Sequence, residues 1–345
     1  MVEQPPFRRF LNSLQPLWLN ISRITLARDV VKRFDYEKVL LKSKLWSLKS
    51  RIALTTDIWT SIQNISYLCL TGHYIDEYWV IHKRILNFVP ISSHKGREIG
   101  KVVEKCIFDW GIEDKVSTIT LDNASANDVA ITYLKGKLAL LLDGKFFHMR
   151  CIAHIMNLIV KDCLSETKDL LAEFRLEVED PNYIADLSHD TPSNEDWEKA
   201  NVFAKFLRKF YEATKKMLEL NYVTSNTYFQ ETIGIVLSLN DWEKDANPIL
   251  NNMSKKMKEK FDKYYGSVDR SNMMVLIAAV LDPQFKMKYV EWGYKKIYGN
   301  DLQKIGLMSR KLRDLLQQLY DFYVEVVSSF QESQTSGSSQ ITGIG

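Results

Sequence analysis

Leu54-Thr55-Thr56-Asp57-Ile58-Trp59-Thr60-Ser61 and Thr118-Ile119-Thr120-Leu121-Asp122-Asn123-Ala124-Ser125 are two short β-branched runs, each delivering an aspartate near its end ahead of small polar residues. A sheet presents carboxylates in this way at the carboxyl ends of its strands, where ligands gather in open α/β sheets. Brought onto neighbouring strands, Asp57 and Asp122 would form a divalent-metal site. The alternative is that both are turn or capping acids, as many aspartates at strand ends are. No third acid follows in a matching context.

Working outward, residues 22–50 read as a helix with Ser22 as its N-cap and an imperfect apolar face at Ile24, Ala27, Val31, Phe34 and Val39–Leu41. Residues 51–57, 65–74 and 79–89 read as three largely antiparallel strands, with Asp76-Glu77 in a hairpin turn. Ile99, Val103, Cys106 and Trp110 recur at helical spacing up to a C-capping Gly111. A strand at 116–122, a helix over 126–142 closing at Gly144, a strand at 146–150 and a helix over 152–164 complete the alternation. This order predicts a mixed five-stranded sheet with helices. Beyond residue 165 the strand signals fade. Segments 196–220, 226–240, 247–265, 271–281 and 300–331 suit helices, broken at Pro181, Pro192, Pro248, Gly266, Asp282-Pro283 and Gly299. The organisation expected is a basic helical arm (1–50), an α/β core (51–165), an all-α region (166–331) and a disordered tail (332–345).

The formal net charge of +3 is unevenly spread. Residues 1–51 carry eleven basic against four acidic residues, and residues 162–199 carry twelve acids against three bases. A basic arm on a near-neutral body suggests a polyanionic partner, or a solvated helix. No run of about eighteen apolar residues exists, so no membrane span is expected. The four cysteines form no spaced framework, and a reduced, intracellular protein is expected.

These stretches, with Arg150-Cys151-Ile152-Ala153-His154-Ile155-Met156-Asn157-Leu158, Trp197-Glu198-Lys199, Phe206-Leu207-Arg208-Lys209-Phe210 and Val280-Leu281-Asp282-Pro283-Gln284-Phe285, resemble the plant hAT-superfamily transposases, nearest to the Activator-type and sleeper-type proteins with a zinc-finger BED domain. The resemblance implies an RNase H-like core interrupted by a helical insertion, a nuclear location and DNA as partner. It also implies a site of two aspartates and a late glutamate binding Mg²⁺ or Mn²⁺, with Asp57 and Asp122 in the aspartate positions. Two such ions would activate water or a 3′-hydroxyl and stabilise the departing oxygen.

The departures from the family pattern are equally specific. The late glutamate with its Ser-Glu and Phe-Ser signature, the dimerisation region and the zinc finger have no counterpart here, and no zinc is expected in this chain. The family's Arg-Trp-Asn-Ser-Thr-Tyr segment is also missing, Leu164 to Trp197 being short and acidic, which suggests an internal deletion. The expectation is therefore a transposase-derived, nuclear DNA-binding protein without catalysis of its own. Its alternatives are a piece of an active transposase and a domesticated protein-interaction module.

Around the aspartates, the resemblance places Cys151 and His154 beside the site in a supporting role; as residues they read as a small buried Cys and a hydrogen-bonded His. Asn123 and Asn127 read either as groups orienting Asp122 or as the cap of the following helix. Arg23, Arg28, Lys32, Arg33, Lys42, Lys44, Lys49 and Arg51 are the candidate phosphate contacts. Trp197, Phe203, Phe206, Phe210 and Tyr211 are expected in the core rather than as base-stacking platforms.

Overall fold

Alternation of buried and exposed positions along Ile52–Thr60 builds the central strand of the molecule. The computed structural model describes residues 2–164, 194–217, 225–265 and 273–337. Two helices come first, α1 (Pro5–Leu14) and α2 (Arg23–Ser47), then β1 (Ile52–Thr60), β2 (Ser66–Ile75) and β3 (Ile81–Ile91). Next come α3 (Gly96–Trp110), β4 (Val116–Leu121), α4 (Ser125–Lys135), β5 (His148–Arg150) and α5 (Ile152–Leu164). Six further helices are described: α6 (Asn194–Met217), α7 (Ser225–Trp242), α8 (Pro248–Tyr265), α9 (Met274–Leu281), α10 (Lys286–Tyr298) and α11 (Leu302–Gly337).

The strands form one five-stranded sheet in the order β3-β2-β1-β4-β5. The two hairpin pairings are antiparallel, while β1 with β4 and β4 with β5 are parallel. The parallel pairs need crossovers, and α3 and α4 supply them. On one face of the sheet, Ile52, Leu54, Leu68, Leu70, Ile119 and Leu121 bury against Ile99, Val103 and Ile107 of α3 and Ala130, Ile131 and Leu134 of α4. The two helices meet where neither carries bulk: a Cβ on Gly96 would stand 1.9 Å from the Ala126 carbonyl oxygen. Gly111, at φ 64°, closes α3 with its N–H on the Ile107 and Phe108 carbonyls.

Ser22 caps α2, its Oγ accepting the Thr25 N–H at 3.0 Å. At the other end Lys115 Nζ donates to the carbonyls of Leu45 (3.0 Å), Trp46 and Leu48 (2.9 Å), satisfying acceptors that the end of a helix leaves open. Leu45 is the one described residue of α2 that is fully buried.

The remainder is helical in two clusters. Ile155, Met156 and Ile159 of α5 pack with Phe206 and Phe210 of α6, Val236 and Leu239 of α7 and Met257 and Phe261 of α8. Phe146 packs with Phe229 and Ile233 of α7, Leu276 and Ile277 of α9, Val290 and Tyr294 of α10 and Met308 and Leu312 of α11. The segment from Phe146 through α5 therefore joins the sheet layer to both helical clusters.

Four features differ from the sequence-based expectation. The helix over 126–142 stops at Lys135: Gly136 ends it, and Leu142, Asp143 and Gly144 then make a left-handed turn (φ 47°, 55° and 71°) that returns the chain to β5. Helix α10 has no counterpart among the expected elements, its pattern being interrupted by Gly293. There a Cβ would stand 2.4 Å from Ile233 Cδ1, so glycine lets α10 close on α7. The last helix continues to Gly337 rather than ending at 331, because Gln, Glu and Ser extend a helix already under way; residues 338–345 lie outside the described residues, as do Pro181, Pro192 and Gly266. Finally, Phe206 and Phe210 are buried as expected, but Trp197 is 48% and Tyr211 69% exposed, at positions on α6 turned from the core; the side chain of Phe203 lies outside the described residues.

Candidate functional site

The last registered pair between β1 and β4 is Thr55 with Thr120, and Asp57 and Asp122 stand two residues further along these parallel strands. Residues two apart share a face, so the aspartates lie side by side, about one strand spacing or 4.8 Å between strands. Leu54, Thr56, Ile119 and Leu121 alternate with them and are buried under α3 and α4. The carboxylates therefore occupy the opposite face, at the carboxyl-end edge of the sheet. Two carboxylates at one edge of a sheet are donors that a divalent cation can share.

Asp57 is exposed, with Oδ1 accepting the Ile58 N–H at 2.9 Å. Asp122 is more tightly held: Oδ1 accepts the Ala124 N–H at 2.9 Å and the Asn127 side-chain amide at 2.6 Å. Asn127 thus acts on the carboxylate rather than as a helix cap, the N-cap of α4 being Ala124, which has no side-chain cap bond. Asn123 does neither. Its amide donates to the Cys151 carbonyl at 3.1 Å, tying the loop after β4 to the loop after β5.

Cys151 N–H donates to the Leu121 carbonyl at 2.8 Å, which carries the parallel ladder one step past Arg150 and sets Cys151 level with Asp122. Cys151 is a free, half-buried thiol at the start of α5, and His154, one turn on, is half-buried. The donor set present suits a hard divalent cation held by carboxylate oxygens and water. Among the described residues no three His, Cys, Asp or Glu side chains converge as a ready-made ligand set.

The candidate phosphate contacts lie on α2 and at the start of the sheet, away from the aspartates. Lys42 Nζ donates to the Asp109 carbonyl at 2.7 Å, Lys44 lies 4.0 Å from Asp76 and over the Tyr74 ring, and Arg51 lies over Phe322 and 3.5 Å from the Asp114 carbonyl. Arg33 pairs with Glu37. Arg23, Arg28 and Lys32 line an exposed groove on α2 with Ile24, Ala27 and Val31, and Lys49 is exposed. The end of α2, the start of β1 and the start of β4 all lie at the sheet edge opposite the aspartates. Ile52 and Asp57 are five strand steps apart, roughly 17 Å.

Other charged and aromatic side chains emerge at the same edge of the sheet as the carboxylates, and no local sequence pattern singles them out. β3 runs in the same direction as β1, so the segment that follows it, with exposed Lys95 and Arg97, emerges at the carboxylate edge. Arg150 donates to Asp128 Oδ1 at 3.0 Å and ties β5 to α4. Burial and Arg150 push the His148 imidazole down to about 4, against the opposing pull of Asp128. On the carboxylate face, Phe88 lies beyond Cys69 in the row of Asp57, its ring 4.9 Å from Trp59 and 5.0 Å from Tyr67. Trp59 is 42% and Phe88 52% exposed. Register across the three strands, which no single segment reveals, is what assembles this aromatic group.

Two family models match the chain: the ZBED1 RNase-like domain over residues 55–146, and the hAT-like transposase, RNase-H fold, over residues 226–323. Strands β2, β3 and β4 and most of β1 fall within the first, with β5 just beyond it, whereas the described residues of the second are mostly helical. The rice zinc finger BED domain-containing protein RICESLEEPER 2 is 30% identical over 94% of this chain and 52% of its own length. The maize putative AC transposase is 29% identical over 97% of this chain and 48% of its own, and DAYSLEEPER of Arabidopsis thaliana 25% over 98% and 56%. The chain thus spans about half the length of the curated relatives it matches. The span shared with RICESLEEPER 2, 383 residues, exceeds the chain's own 345, so the relative carries residues inside it that this chain lacks. With its mixed five-stranded sheet, these two models and relatives aligned over nearly its whole length, the chain is similar to the hAT-like transposases.

Proposed function

We propose that this chain is a nuclear DNA-binding protein derived from a hAT transposase, with a weak divalent-ion site at Asp57 and Asp122 and no strand cleavage of its own. The observation that carries this reading is the pair of carboxylates at matched positions on β1 and β4, with no third acid joining them among the described residues. Mg²⁺ or Mn²⁺ bound there supplies Lewis-acid activation of a water or a 3′-hydroxyl, chemistry that such sites perform with two ions or a fuller ligand set. Asp57 and Asp122 would hold the ion, and Lys95, Arg97 and the partly exposed Arg150, at the same edge of the sheet, would meet a DNA phosphate backbone. Kinship with a putative transposase is what favours DNA over other polyanions.

The test is to incubate the purified chain with terminal-repeat and hairpin duplexes in Mn²⁺. Salt-sensitive binding without nicking is expected; metal-dependent nicking lost in Asp57→Asn would overturn the reading. A second reading, a piece of an active transposase, draws on the chain spanning about half of its relatives. Sequencing the native transcript decides it: a message running on into a Ser-Glu, Phe-Ser segment favours the active enzyme.

A further inference from the structure

Asp122 presents its two oxygens unequally. Oδ1 receives two donors, the Ala124 N–H at 2.9 Å and the Asn127 amide at 2.6 Å. A carboxylate oxygen has two in-plane lone pairs, so both acceptor positions of Oδ1 are filled and Oδ2 alone is left for a metal ion. The Asn127 amide nitrogen also lies 3.4 Å from the Asp122 backbone carbonyl, so one NH₂ group faces both the side chain and the main chain of the aspartate. Asn127 is itself buried: it is 6% exposed, in the first turn of α4, a helix held to α3 across Gly96.

We propose that Asn127 is a positioning residue for the metal carboxylate, fixing Asp122 as a one-oxygen ligand turned toward Asp57. This rests on reading Asp57 and Asp122 as the ion ligands. It adds a selectivity that the pair alone lacks. Ca²⁺ is larger and readily takes both oxygens of a carboxylate, whereas Mg²⁺ and Mn²⁺ suit six-coordinate sites completed by water. Holding Oδ1 on two protein donors therefore favours the smaller ions.

The experiment is Mn²⁺ and Ca²⁺ titration of the whole chain, by electron paramagnetic resonance for Mn²⁺ and by calorimetry for both, with metal-free Tm measured alongside. Asn127→Leu keeps the size and removes the donor. It is expected to weaken Mn²⁺ binding about 10–100-fold, the usual effect of removing a group that orients a metal ligand, and to narrow the preference for Mn²⁺ over Ca²⁺. In an Asp122→Asn background it should add no further loss. Mn²⁺ affinity and preference unchanged in Asn127→Leu, whatever its Tm, would overturn the proposal while leaving the metal reading standing. Absence of Mn²⁺ binding by the wild-type chain, or binding indifferent to Asp57→Asn and Asp122→Asn, would sink the metal reading itself. Should Asn127→Leu fail to fold, Asn127→Ala is read by the same outcomes, because it also removes the donor and adds no new metal ligand.

Discussion

The two edges of the sheet use polar side chains for opposite ends. At the edge where β1 and β4 begin, Lys115, Lys42 and Arg51 point charged groups at backbone carbonyls and so fasten α2 and neighbouring segments to the core. At the edge where those strands finish, Asn127 and the Ala124 N–H hold one side of a carboxylate and leave its other side open. The first edge spends several of its charges on backbone carbonyls; the second leaves a carboxylate oxygen open. A count of lysines and arginines along the chain locates the first edge and says nothing of the second.

The largest expected effect falls on the carboxylate edge. Gly96→Ala places a methyl group against the Ala126 carbonyl and Val129 Cβ, at 1.9 and 2.8 Å, and neither can move without shifting α4. A loss of about 3 kcal/mol or more in urea unfolding is expected, at the upper end for overpacked sites. A variant as stable as wild type would mean that the α3–α4 joint is not the rigid backing of that edge.

Acid comes next. His148 is lowered to about 4 when folded against 6.5 unfolded, so the unfolded chain binds the extra proton first. Stability from this group is present above pH 6.5 and is lost as the pH falls toward 4, by roughly 3 kcal/mol. His148→Gln should flatten the dependence of unfolding free energy over that window, and an unchanged slope would remove His148 as its source.

At the opposite edge, Lys115→Met deletes the donor to three carbonyls at the end of α2. A cost of about 2 kcal/mol is expected for a charged hydrogen-bonding group, seen as faster hydrogen exchange and proteolysis around residues 45–50. Global unfolding without local loosening there would contradict the fastening role. The smallest effect separates the edges by DNA binding. Replacing Lys95 and Arg97 with Ala should reduce the slope of log affinity against log salt by about 1 for each phosphate no longer neutralised. Lys42→Ala should leave that slope alone, and the reverse result would move the DNA surface to the arm.

Much of the sheet is legible in the sequence because its signals are local. Asp76 closes the hairpin by accepting the Tyr78 and Val80 N–H groups, Gly111 adopts the left-handed cap, and Ser22 starts α2 as its side chain implies. The pairing of Asp57 with Asp122 is legible only in part: each strand end can be read, but their equal height depends on the β1–β4 register. Asn127 stays ambiguous because an asparagine near a helix start satisfies the capping pattern as well as the orienting one. Helix α10 escapes because Gly293 interrupts its periodicity, and the reason for that glycine, the approach of Phe229 and Ile233, is a tertiary fact. The fate of the basic residues is the least legible, since nothing local distinguishes a lysine that meets solvent from one that meets a carbonyl across the fold.

The Cys151 carbonyl accepts two N–H groups at once, from the Asn123 side chain beside Asp122 and from Ile155 inside α5. That single oxygen is the fulcrum between two halves of the protein. Helix α5 is seated in the helical cluster with α6, α7 and α8, so one backbone oxygen links the loop that presents Asp122 to a helix packed among elements whose own sequence contains no part of the site.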